Sequence, residues 1–182
     1  MKKSMKKIAV FAVCAALCLG ALAGCTQKTD TTATDGQQTA NMPNPMTEGS
    51  YDDQVAKASI GLNAPEGATD VKYFTIDLGD GKAMAETQFV LDGKTYNYRA
   101  ETTDQTTAYD NSGCYYDNWT TGTAKVAHCD AVTEVVDDCA VIYWLDVVPG
   151  IDYSLTCTTP GATADDVTAV ANAVFVPAQG NA

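Results

Sequence analysis

The chain has 182 residues, seven cysteines, a single histidine and a formal net charge of −12. Too few Lys and Arg are present to neutralise a phosphate backbone, which argues against nucleic-acid binding. The same imbalance excludes attachment to anionic lipid headgroups through a basic face.

The basic residues are unevenly placed. Lys2, Lys3, Lys6 and Lys7 precede an apolar run from Ile8 to Gly24, the n-region and h-region order of an export signal. About twenty apolar residues are needed to cross a bilayer core, so this run is marginal as a permanent span. Leu22, Ala23 and Gly24 before Cys25 resemble the lipobox of bacterial lipoproteins. That resemblance implies cleavage after residue 24 and a diacylglyceryl group on Cys25, whose two chains anchor the protein to the membrane where one would exchange off. Cys14 and Cys18 are then filler of the leader. Removing residues 1–24 takes four of 11 basic residues and none of the 23 acids, leaving 7 − 23 = −16.

Residues 25–49 read as a lipid-anchored, disordered tether, because Thr, Asp, Gln, Asn and Pro offer too little apolar surface to offset their ordering entropy. Residues 50–178 then form a single domain. Ser50 is placed as the N-cap of a short helix through Tyr51, Val55 and Ala58, ended by Gly61. "VKYFTIDL" follows as a strand with Phe74, Ile76 and Leu78 on one side. Asp92-Gly93 between Phe89 and Leu91 and then Tyr96 and Tyr98 marks a hairpin. Cys139 to Val147 is apolar on both faces and so reads as a central strand. Pro149-Gly150 turns it into "IDYSLTC", where Ile151, Tyr153, Leu155 and Cys157 alternate with Asp152, Ser154 and Thr156. Thr163 caps a final helix with a stripe of Val167, Val170, Ala171 and Val174, closed by Pro177. The expected fold is α+β: a curved antiparallel sheet of about six strands, with a short N-terminal helix and a C-terminal helix on one face.

This order of features, with Trp144 in one strand, Tyr153 to Leu155 in the next and Val167 to Val174 in the helix, resembles a domain of unknown function. That domain occurs in lipoproteins and anti-sigma-factor-like membrane proteins of Gram-positive bacteria. The resemblance spans roughly residues 50–176 and implies no catalytic residue.

Four cysteines fall in the domain, Cys114, Cys129, Cys139 and Cys157, and an even number in an exported chain points to disulfides with three connectivities. A hairpin centred on Thr121-Gly122 places Cys114 opposite Cys129, and the Pro149-Gly150 turn sets the strand of Cys139 beside that of Cys157. The favoured pairing is therefore Cys114 with Cys129 and Cys139 with Cys157, although a two-residue turn sets the first pair where side chains lie farther apart, so the others stay open. No C-x-x-C spacing occurs, and His128 next to Cys129 on a strand points to the opposite face. No metal, no cofactor and no Cys-His nucleophile is expected.

Chemistry-bearing motifs are otherwise absent: "DLGDG" is too short for a calcium loop and no G-x-S-x-G elbow occurs. Tyr96, Tyr98, Tyr115, Tyr116, Tyr143, Trp144 and Tyr153 suit either a groove or a core. The leading expectation is a non-enzymatic lipoprotein, tethered outside the cell membrane, that binds or senses an envelope component. The alternative is a carrier sheltering an acyl chain between sheet and helices, and a third is a hydrolase using two carboxylates, which requires a cleft where two acids converge with one desolvated.

Overall fold

The computed structural model describes residues 45–177. The leader, the lipidation site Cys25 and most of the tether lie outside the described residues. In chain order come β1 (Met46–Gly49), α1 (Tyr51–Ala58), β2 (Thr69–Gly79), β3 (Lys82–Leu91), β4 (Lys94–Thr102), β5 (Thr120–Val126), β6 (Cys129–Val136), β7 (Cys139–Asp146), β8 (Ile151–Cys157) and α2 (Ala164–Val174). The strands make one antiparallel sheet in the order β1-β2-β3-β4-β8-β7-β6-β5. The fold is thus α+β, with eight strands where about six were expected. Among the described residues no helix is long and apolar enough to cross a membrane.

Local chemistry accounts for most boundaries. Ser50 and Thr163 each close a capping box, with Asp53 and Asp166 returning a carboxylate to the cap N–H. Asp92-Gly93 is a two-residue turn with both residues at positive φ, 51° and 77°, and Leu91 pairs Lys94 across it. The strands that were missed lack such signals. β1 lies in the stretch assigned by composition to the tether, and pairs with β2 from Met46↔Ile76 to Gly49↔Tyr73. β5 and β6 meet at Val126↔Cys129, so the turn is Ala127-His128 and not Thr121-Gly122, with Ala127 held at φ 50°. α1 ends at Ser59 in the left-handed region rather than at Gly61.

Both helices cover the same face of the sheet, α1 over β2 and β3 and α2 over β5 to β8. Their core is aromatic. Trp144 stacks on Tyr153 at 5.3 Å between ring centres, Tyr153 on Tyr98 at 6.1 Å, and Phe175 meets Trp144 edge-on at 5.5 Å. Those rings occupy the space between sheet and α2 in which an acyl chain would have to lie. Tyr96 stacks on Phe89 in the same core, so four of the seven singled-out aromatics are core, while Tyr115 and Tyr116 are exposed and Tyr143 is half-buried on the opposite face.

α1 is fastened by a polar residue. Gln54 is fully buried; its Nε2 donates to the carbonyls of Glu86 (2.7 Å) and Phe74 (3.2 Å) and to Thr87 Oγ1 (3.1 Å), while its Oε1 accepts from Leu62 N–H (3.0 Å). Val55, expected on the helix's apolar side, is exposed instead.

Candidate functional site

The alternation in β8 predicts a solvated polar face, yet Asp152, Ser154 and Thr156 are as buried as the apolar set. The cover is the connection of residues 103–119, which leaves β4 at one end of the sheet and crosses this second face to reach β5 at the far edge. Tyr109 N–H donates to Asp152 Oδ1 (3.3 Å), and Asn111 Nδ2 donates to Glu101 Oε1 (3.3 Å). Gly113 at φ 76° runs so close above the Arg99 guanidinium that a Cβ there would collide with it. Beneath, Glu86 is fully buried, takes an ion pair from Arg99 Nε (2.5 Å) and accepts from Gln88 Nε2 (2.6 Å). Burial raises the Asp152 carboxyl to about 8, against a lowering by the Tyr109 N–H and with further upward pressure from Glu101 and Asp110. Glu101 and Asp152 are register partners, so two acids do converge. Glu101 borders an open cleft of about 390 Å³, whereas Asp152 is buried beneath the connection and does not line that cleft.

The register overturns the favoured cysteine pairing. Ala140 pairs Cys157, so Cys139, one residue earlier, points through the opposite face of the sheet from Cys157. Cys129 opens β6 whereas Cys139 pairs with its last residue, Val136, on the order of 20 Å away at about 3.3 Å per residue. The 103–119 connection delivers Cys114 to Cys139, not to Cys129: the two thiols are neighbours whose interaction shifts both, and all four domain cysteines are free thiols. The Cys139 thiol, followed by Arg99 and Ser112, draws the Cys114 thiol down against its desolvation; the Cys139 thiol is raised by Cys114 and by burial. Cys157 lies level with Ala140 and Cys129 level with Asp146, so these two are also some six residues, about 20 Å, apart.

At the other end of the sheet the β5–β6 and β7–β8 turns and residues 106–108 enclose an open cleft of about 630 Å³. Leu145, Val147, Val148, Val132 and Ala108 supply its apolar wall. Here His128 and Cys129 do not diverge as adjacent strand residues would, because His128 belongs to the turn and only Cys129 to the strand. Extending the Ala131↔Trp144 pairing two residues along each strand sets Cys129 level with Asp146. The His128 imidazole, the Cys129 thiol and the Asp146 carboxylate thereby place one donor atom each within 4.8 Å of one another, with His128 Nε2 at 3.9 Å from Asp146 Oδ1. Cys129 and Asp146 are buried and His128 is exposed. Burial, then Asp146 and Asp130, push the Cys129 thiol up to about 11, with Lys125 pulling the other way; Tyr153 below is raised to about 12 by burial, then Asp146 and Cys129. Sequence reasoning missed this constellation, since its signal is the Ala127-His128 turn, which has no turn-forming residue type. No family model, no curated protein and no solved structure matches the chain.

Proposed function

We propose that this chain is a non-enzymatic binding or sensing module, held outside the cell membrane by a lipid on Cys25, with its ligand seated in the 630 Å³ cleft at the end of the sheet. The cleft carries the reading: the space between sheet and α2 is filled with rings, whereas here apolar walls and three donor-bearing residues line an open surface. Cys25 and its leader supply the anchor, and the net charge of the mature chain leaves the lipid as the means of attachment. Outside the cell the surroundings favour disulfides, and Cys114 and Cys139 are the pair placed to close one. Cys114 attacks a small donor disulfide and Cys139 resolves the mixed disulfide; the donor leaves as two thiols carrying the two hydrogens lost.

Native mass spectrometry of the detergent-extracted mature chain tests anchor and cleft together. Two acyl chains on Cys25 are expected, with a non-covalent adduct that Val148→Asp abolishes and Cys25→Ser does not. An unacylated N-terminus refutes the anchor; the same adduct on the Val148→Asp chain, or none on either, refutes the cleft. Peptide mapping without reductant is expected to return Cys114 joined to Cys139; Cys114 or Cys139 joined to any other cysteine, or both recovered as free thiols, refutes the pairing.

A further inference from the structure

We propose that His128, Cys129 and Asp146 bind one borderline divalent transition-metal ion, of the zinc class, at the mouth of the cleft. This deepens the binding reading of the same cleft by naming its ligand, and it does not depend on the anchor. Three observations converge. The donor set is one imidazole nitrogen, one thiol sulphur and one carboxylate oxygen, the mixture that zinc takes and that hard magnesium or calcium does not. The donors stand within 4.8 Å of one another, and His128 is the exposed member, on a turn, with its Nε2 at 3.9 Å from Asp146 Oδ1. Zinc–ligand bonds of about 2.0–2.3 Å need donors somewhat nearer than this, so binding draws His128 inward over two buried, fixed partners.

The surroundings fit a cation. A buried thiol and a buried carboxylate lie at one strand level; Lys125, the base whose charge reaches Cys129, is ion-paired with Asp130 at 2.5 Å. A bound ion neutralises this group and releases the Cys129 proton as it takes the thiolate. Neighbouring cysteines offer no covalent rival, since Cys157 lies about 20 Å off and Cys114 and Cys139 sit at the opposite end of the sheet. Three protein donors leave one tetrahedral position for a further ligand, as in zinc sites that accept one rather than closed structural ones.

Cobalt(II) and zinc(II) titration of the reduced mature chain tests the site. One equivalent of cobalt is expected to give thiolate-to-cobalt absorption and tetrahedral visible bands that zinc bleaches. Cys129→Ser abolishes the thiolate band while keeping Cys114, Cys139 and Cys157, and its circular dichroism reports whether it folds. His128→Gln and Asp146→Asn weaken zinc at least as much as the roughly 10–100-fold lost when outer-shell partners are removed. His128 is exposed, so His128→Gln tests the site even where a buried substitution unfolds the chain. Absence of the thiolate band in the parent chain, its persistence in Cys129→Ser, or unchanged zinc affinity in His128→Gln overturns the assignment. Failure of the metal leaves an organic ligand in the cleft untouched, because the Val148→Asp adduct test reads that separately.

Discussion

Replacing Asp152 by asparagine removes the ionisation of a carboxyl that the 103–119 connection seals against water. In the unfolded chain it titrates near the usual 3.9 or so, and in the folded one at about 8. Between those values the folded state keeps a proton that the unfolded state has surrendered. The group's stabilising contribution is therefore complete below about pH 4 and falls by about 1.4 kcal/mol for each unit of rising pH until the folded carboxyl ionises. From pH 5 to 7 that is two units, or about 2.7 kcal/mol lost through this single side chain. The amide oxygen of an asparagine at this position would still accept the Tyr109 N–H, so Asp152→Asn keeps the hydrogen bond that Asp152 Oδ1 receives and removes only the titration. Urea unfolding of both proteins at pH 5, 6 and 7 reads the difference directly, every other group cancelling between them. The variant is expected to gain on the parent by about 1.4 kcal/mol per pH unit; parallel pH profiles would refute the claim that Asp152 is held neutral.

Gln54→Leu is expected to cost about 3 kcal/mol by urea midpoint, because it strips the Leu62 N–H and the Thr87 and Glu86 acceptors of a buried partner; a loss below about 1 kcal/mol would show that α1 docks without it. Arg99→Met leaves the fully buried Glu86 carboxylate without its ion pair and should cost about 3–5 kcal/mol, largely recovered by adding Glu86→Gln. Equal destabilisation in the double variant would contradict a charge effect. Thr156→Val replaces a buried hydroxyl whose Oγ1 has no hydrogen-bond partner among the described residues, and should leave stability unchanged or raise it by about 1 kcal/mol; a clear loss in thermal melts would reveal a partner for that hydroxyl.

The elements with a local chemical signature were legible from residue types alone. Ser50 with Asp53, Thr163 with Asp166, and Asp92-Gly93 each specify a boundary through bonds made within four residues, and each boundary falls where those residues put it. What was hidden depended on distant chain. β1 is held by backbone pairing to β2, and its four residues include only one large apolar side chain. The polar set of β8 looked solvated because nothing in "IDYSLTC" announces that a segment forty residues earlier lies over it. The cysteine error has the same root: shifting one turn from Thr121-Gly122 to Ala127-His128 moves Cys114 out of the hairpin altogether, and also converts the His128-Cys129 pair from diverging to converging. A turn adopted by Ala127 at positive φ is enforced by its surroundings, here an N–H given to the side-chain oxygen of Asn172 (2.8 Å) from α2.

The last strand made is not an edge strand. β8 sits between β4 and β7, so a chain emerging from its N-terminus onward completes both of its neighbours before the piece that joins them exists. During that interval two sheet halves present open ladders, each a template for pairing with another copy. Joining them brings together residues 49 to 61 positions apart, Thr102 with Ile151 and Tyr96 with Cys157, which marks this closure as the slow event of folding. A helper that holds the unfinished halves apart, or a delay in emergence of β8, would therefore govern yield more strongly than the stability of the finished sheet.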